Sequence, residues 1–111
     1  MKTARKENFL LITNDNGSIT EFSSELTKHH SDIAQENVVV DLRDDKGLSV
    51  DHLMAFLEIS NLHRNNNNKS FVLVNDAVGI DELPDELIVV PTLQEAEDMI
   101  QMDEIQRDLG F

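Results

Sequence analysis

The chain has 111 residues, and 22 acidic against nine basic side chains give a formal charge of -13. That length provides one domain with one hydrophobic core and excludes a two-domain enzyme with an interdomain cleft. The charge argues against nucleic acid and anionic membrane surfaces as partners, and the lack of cysteine removes disulfides, thiolate metal sites and cysteine nucleophiles.

A hydrophobic fraction of 40 %, spread along the chain, is that of a folded globular domain. Residues 1–8 are charged but precede only the short apolar run 9–12, too brief for a signal-peptide core. No stretch reaches the roughly 20 apolar residues of a membrane helix, so the cytoplasm is the expected compartment.

In chain order, residues 9–13 predict a strand and 19–22 a second, with Asn14-Asp15-Asn16-Gly17 as the turn of an opening hairpin. Ser23 or Ser24 then caps a helix reaching about Gln35, with Leu26, His30 and Ile33 at helical spacing. The β-branched run 37–42 predicts a central strand, and the polar 43–47 segment a loop. Ser49 occupies an N-cap position, with Asp51 in the first turn and Leu53, Met54, Phe56, Leu57, Ile59 and Leu62 forming a broad apolar face. Asn65 to Asn68 end that helix. Residues 71–74 and 87–90 predict two more buried strands, with a short helical segment at 80–83 between them. Thr92-Leu93-Gln94-Glu95 is a capping box that opens a last helix. The order predicts a single α/β domain over 1–111, with a mixed sheet of four to five strands, an N-terminal hairpin, and later parallel strands covered by helices.

This order, with Asn37-Val-Val-Val-Asp-Leu42 leading through a polar loop into Ser49-Val50-Asp51-His52-Leu53, resembles the STAS family, the sulfate-transporter and anti-sigma-factor-antagonist domains. The resemblance covers about residues 8–100, which leaves 101–111 as an acidic helical extension. It implies a regulatory protein-interaction module without catalytic turnover. In the family's antagonists a hydroxyl at the start of the long helix is phosphorylated, and here Val50 stands at that position. The resemblance then implies that the usual phospho-switch is lost, or moved to Ser49, with Asp51 a fixed charge beside it.

The tail from Glu95 to Phe111 also resembles that of short Bacteroidetes proteins labelled ribonuclease Z. The metal-binding motif of that nuclease, His-x-His-x-Asp-His, does not occur, since the histidines are His29, His30, His52 and His63. His29 and His30 are adjacent and point to different helix faces, and His30 on the apolar stripe reads as a satisfied, partly buried histidine. Arg43 breaks any calcium-loop pattern among Asp41, Asp44 and Asp45. The four glycines are scattered and form no phosphate loop. No catalytic residues, metal or cofactor are therefore expected.

Two partner-binding candidates remain. The first is the loop and helix start carrying Asp44, Lys46, Ser49 and Asp51, at the carboxyl end of a strand, where open α/β folds usually place function. The second is the stripe Met102, Ile105, Leu109 and Phe111 in the extension, suited to a protein partner's groove or to a homodimer contact. Folding of the extension back onto its own domain is the alternative. The competing functional expectations are a small-ligand sensor with a pocket at the strand ends and, last, a metallonuclease.

Overall fold

The computed structural model describes residues 1–14, 17–45, 47–66, 68–76 and 80–110. Five strands, β1 (Lys2–Arg5), β2 (Leu10–Thr13), β3 (Val38–Asp41), β4 (Phe71–Val74) and β5 (Val89–Val90), form one sheet in that spatial order. β1 is antiparallel to β2, and β2 through β5 are parallel. This is the mixed sheet with an opening hairpin that the sequence predicts.

The hairpin uses different strands, however. Residues 19–22 are not a strand: they open helix α1 (Ile19–Lys28), whose Ser18 hydroxyl accepts the Glu21 amide. Ile19, Phe22 and Leu26 stand at i, i+3 and i+7 and all are buried, so the helical period prevails over the β-branched character of Ile19 and Thr20. The partner of β2 is instead β1, all four of whose residues are exposed. An edge strand without a buried face leaves no alternating pattern to read, and its Lys2 and Arg5 are the charges that protect such edges. The expected helix from Ser23 or Ser24 to Gln35 thus starts earlier, and it breaks at His29 before α2 (His30–Ile33).

The long helix predicted from Ser49 is likewise two pieces, α3 (Val50–Met54) and α4 (Leu57–Asn61), followed by a π-helical turn at Leu62–Asn66. Asn68 then adopts a left-handed φ of 57° as the chain turns into β4. A 3-10 turn, Ile80–Glu82, precedes β5, and Thr92 accepts the Glu95 amide to cap α5 (Leu93–Asp108).

Alternation along the strands divides the core. Leu10, Ile12, Val38, Val40, Phe71, Leu73 and Val89 face α1 to α4. Val39, Val72, Val74 and Val90 face α5, through Ala96, Ile100, Leu93 and Met99. Consecutive strand order puts every crossover helix on one face and leaves the other to α5 alone. With 16 residues α5 is about 24 Å long, whereas a four-residue strand covers about 13 Å. The helix therefore outruns the sheet, and its second half needs a different anchor. Among the described residues no helix is long and apolar enough to cross a membrane.

Candidate functional site

At the carboxyl end of β3 the backbone is fastened by Asn75, whose Nδ2 donates to the carbonyls of Leu42 at 2.9 Å and Asp45 at 3.3 Å. Arg43 grips Asp41 through two side-chain hydrogen bonds, Nε to Oδ1 at 2.9 Å and Nη2 to Oδ2 at 2.7 Å, and a third from its amide to Oδ1 at 3.1 Å. Those bonds hold the Asp41 carboxyl below its ordinary pKa, while burial, and then the charges of Asp44 and Asp41, push Asp45 up. Ser49 caps α3. Its amide donates to His52 Nδ1 at 3.0 Å, so a histidine fills the reciprocal role that Glu or Gln usually takes in a capping box. An accepting Nδ1 carries no proton, which places the ring hydrogen on Nε2. Val50 packs against the core. Asp44, Ser49 and Asp51 are exposed, and Lys46 lies outside the described residues.

The second candidate surface lies at the other end of the sheet. α5 runs back from β5 until its last turns meet the amino ends of β3 and β4. Asn37, buried just before β3, is the anchor: its Nδ2 donates to Glu104 Oε1 at 2.7 Å and to the Asn8 carbonyl at 3.0 Å. Its Oδ1 accepts the Ser70 amide at 3.0 Å and Arg107 Nη2 at 3.2 Å. Ser70 Oγ donates to Asp103 at 2.7 Å. The extension thus folds back on the domain through its polar side, Asp103, Glu104 and Arg107. Its apolar side turns outward: Met102 is 57 % exposed, Ile105 59 % and Leu109 66 %. Phe111 lies outside the described residues. The two candidate surfaces occupy opposite ends of the strands, so the structure does not bring them together.

A third feature is a pair of buried histidines. His63 is fully buried in the π-helical turn; its Nε2 lies 2.6 Å from the Glu36 carbonyl and its Nδ1 2.9 Å from His30 Nε2. A carbonyl only accepts, so His63 carries its proton on Nε2 and His30 donates to Nδ1. Edge-on contact with Phe71 completes the enclosure. Burial lowers the pKa of both rings; for His63 the Glu36 hydrogen bond opposes this in part, and the charges of His30 and Lys69 add to it. The spacing Phe56, Ile59, His63, at i, i+3 and i+7, was the available signal that His63 shares the apolar face. His30 is hydrogen-bonded as its position predicts, and it is buried and not merely partly so, whereas His29 is exposed and lies 3.7 Å from Asp32.

Among the described residues no three His, Asp or Glu side chains gather in a metal-holding arrangement. An apolar cavity of about 160 Å³ lies between Leu83, Leu87, Ile88 and Met99, and larger hollows of about 440 and 500 Å³ lie along α1 at Thr20, Ser24 and Lys28 and beside Phe9 and Glu97. The sequence matches no protein-family model and no curated protein.

Proposed function

We propose that the chain is a non-catalytic protein-interaction module that presents Met102, Ile105 and Leu109 to a basic amphipathic helix of a partner protein. The observation that carries this reading is three large apolar side chains left in water on a helix whose opposite side is locked to the domain. Such a stripe is ordered before it binds, which lowers the entropic cost of docking. Charge favours the stated partner: Asp98 and Asp108 are exposed along the same helix, and Glu97 and Glu104 border a cavity beside it. A second copy of the chain would bring its own charge of -13 to the contact.

Burying the exposed portions of three such side chains contributes roughly 3–4 kcal/mol, far short of a permanent complex. The docking is therefore reversible, as a regulatory module requires. The STAS resemblance belongs to the same proposal, with Val50 packed against the core and Ser49 serving as a helix cap in place of a phospho-switch.

The test is crosslinked capture from native lysate with the unmodified chain and with Ile105→Asp, after circular dichroism has shown both folded. The expected result is a partner crosslinked to residues 102–109 through a basic amphipathic segment, and lost in Ile105→Asp. An unchanged set of captured proteins, or a crosslink only to a second copy of the chain, overturns the reading.

A further inference from the structure

Nine basic residues serve the whole chain, yet three of them, Arg64, Lys69 and Arg107, line one cavity of about 170 Å³. They come from three different elements: the π-helical turn, the lead into β4, and the last turn of α5. Asn65, Asn68 and Gln106 complete the wall with amide groups, and Asp103 is its only carboxylate among the described residues. That carboxylate already accepts the Ser70 hydroxyl. Basic residues near a helix C-terminus are ordinary complements to the helix dipole, but the dipole does not explain convergence from three elements.

We propose that this cavity, walled by Arg64, Lys69 and Arg107, binds a phosphoryl group. Among the described residues Arg64 is positioned by one bond, from Nη1 to the Glu86 carbonyl at 2.6 Å, and Arg107 by its bond to Asn37. Each guanidinium has five N–H donors, so most remain for a ligand. Lys69 makes no side-chain hydrogen bond or ion pair with any described residue, although the chain has 22 carboxylates to offer. Glu36, whose charge reaches Lys69, is taken by Arg5 at 2.9 Å. At about 30 Å³ per water the cavity has room for roughly five or six waters, enough for one tetrahedral oxyanion with part of its hydration. Two planar forks and a point charge are the donor set that phosphoryl oxygens call for. The net negative charge opposes approach from a distance, but salt screens it beyond about 8 Å, where the three local cations take over.

The site is separate from the α5 stripe, and its test does not depend on the docking reading. The unmodified chain is titrated with inorganic phosphate, phosphoserine and serine at constant ionic strength, with amide and Arg side-chain shifts read by NMR. Saturable shifts confined to residues 62–70 and 103–107 are expected with phosphate, with phosphoserine, or with both, and not with serine. Binding of inorganic phosphate alone identifies the source as the free anion, and binding of phosphoserine a phosphorylated side chain. Lys69→Gln, which breaks no described side-chain contact, weakens binding at least about fivefold, while Lys28→Gln on α1 leaves it unchanged. Absence of saturable shifts, shifts scattered over all basic residues, or equal affinity in Lys69→Gln overturns the proposal. Ile105→Asp abolishes partner docking and leaves phosphate binding as it is, so the two readings fail separately.

Discussion

Replacing His63 by phenylalanine keeps a ring of similar size in the core and removes both hydrogen bonds. The Glu36 carbonyl and His30 Nε2 are left without His63, and an unsatisfied buried group costs about 1–3 kcal/mol. Part of this is offset by the apolar gain, so His63→Phe is expected to lose about 2–4 kcal/mol near pH 7.5, a large share of the 5–15 kcal/mol typical of a domain. The pH dependence is more diagnostic. Both histidines have a folded-state pKa below the ordinary 6.5, so on acidification the unfolded chain takes up protons first. Their contribution is complete above the unfolded value and is lost as pH falls below it, by up to about 1.4 kcal/mol per unit for each ring that stays neutral. His63→Phe removes one ring's share of that loss. Between about pH 7.5 and pH 5.5 the stability gap between variant and parent should therefore narrow, by no more than about 1.4 kcal/mol per pH unit. Comparing the two proteins cancels the titration of surface carboxylates, which is common to both. Urea unfolding followed by circular dichroism at several pH values measures the gap. A gap that stays constant or widens on acidification would refute the description of His63 as a buried neutral donor to Glu36.

Asn37→Ala removes the group that joins Glu104, Arg107, Ser70 and Asn8 through four hydrogen bonds; at about 0.5–1.5 kcal/mol per bond the expected loss is about 2–6 kcal/mol. Hydrogen exchange should show residues 102–109 losing more protection than 93–100, and a uniform loss would mean that Asn37 does not anchor α5. Ser49→Ala should cost about 1 kcal/mol as a lost N-cap, and Ser49→Asp should restore most of it because aspartate also caps; thermal melts distinguish the two. Ser60 is fully buried and its hydroxyl has no hydrogen-bond partner among the described residues. Ser60→Ala should therefore leave stability unchanged or raise it by about 1 kcal/mol, as read from the urea midpoint.

Where a segment carries its own signal, sequence and structure agree. The valines of β3 and the Phe71–Val74 run are buried on both faces and appear as uninterrupted apolar stretches. The Ser49 and Thr92 caps are chemistry local to four residues, and both helices start there. The outward stripe of α5 was legible for the same reason, because i, i+3 and i+7 positions share a face whatever lies beneath. Residues 19–22 read equally as strand or helix because a four-residue window holds too little periodicity to separate the two, and β1 carries no pattern because nothing on it is buried.

The sequence by itself determined the single domain, the mixed α/β sheet, the surplus of negative charge and the helix caps, since composition and local hydrogen bonding act over short stretches of chain. Only the tertiary structure decided what long-range contacts decide. Asn37 and Glu104 are 67 positions apart, and His30 and His63 are 33 apart. Neither pairing leaves a trace in the residues around it. The mismatch between a 16-residue helix and four-residue strands forced the end of α5 onto a polar anchor, with its apolar side toward solvent and its arginine toward Arg64 and Lys69. No periodicity within α5 encodes that choice, because the length of the neighbouring strands sets it.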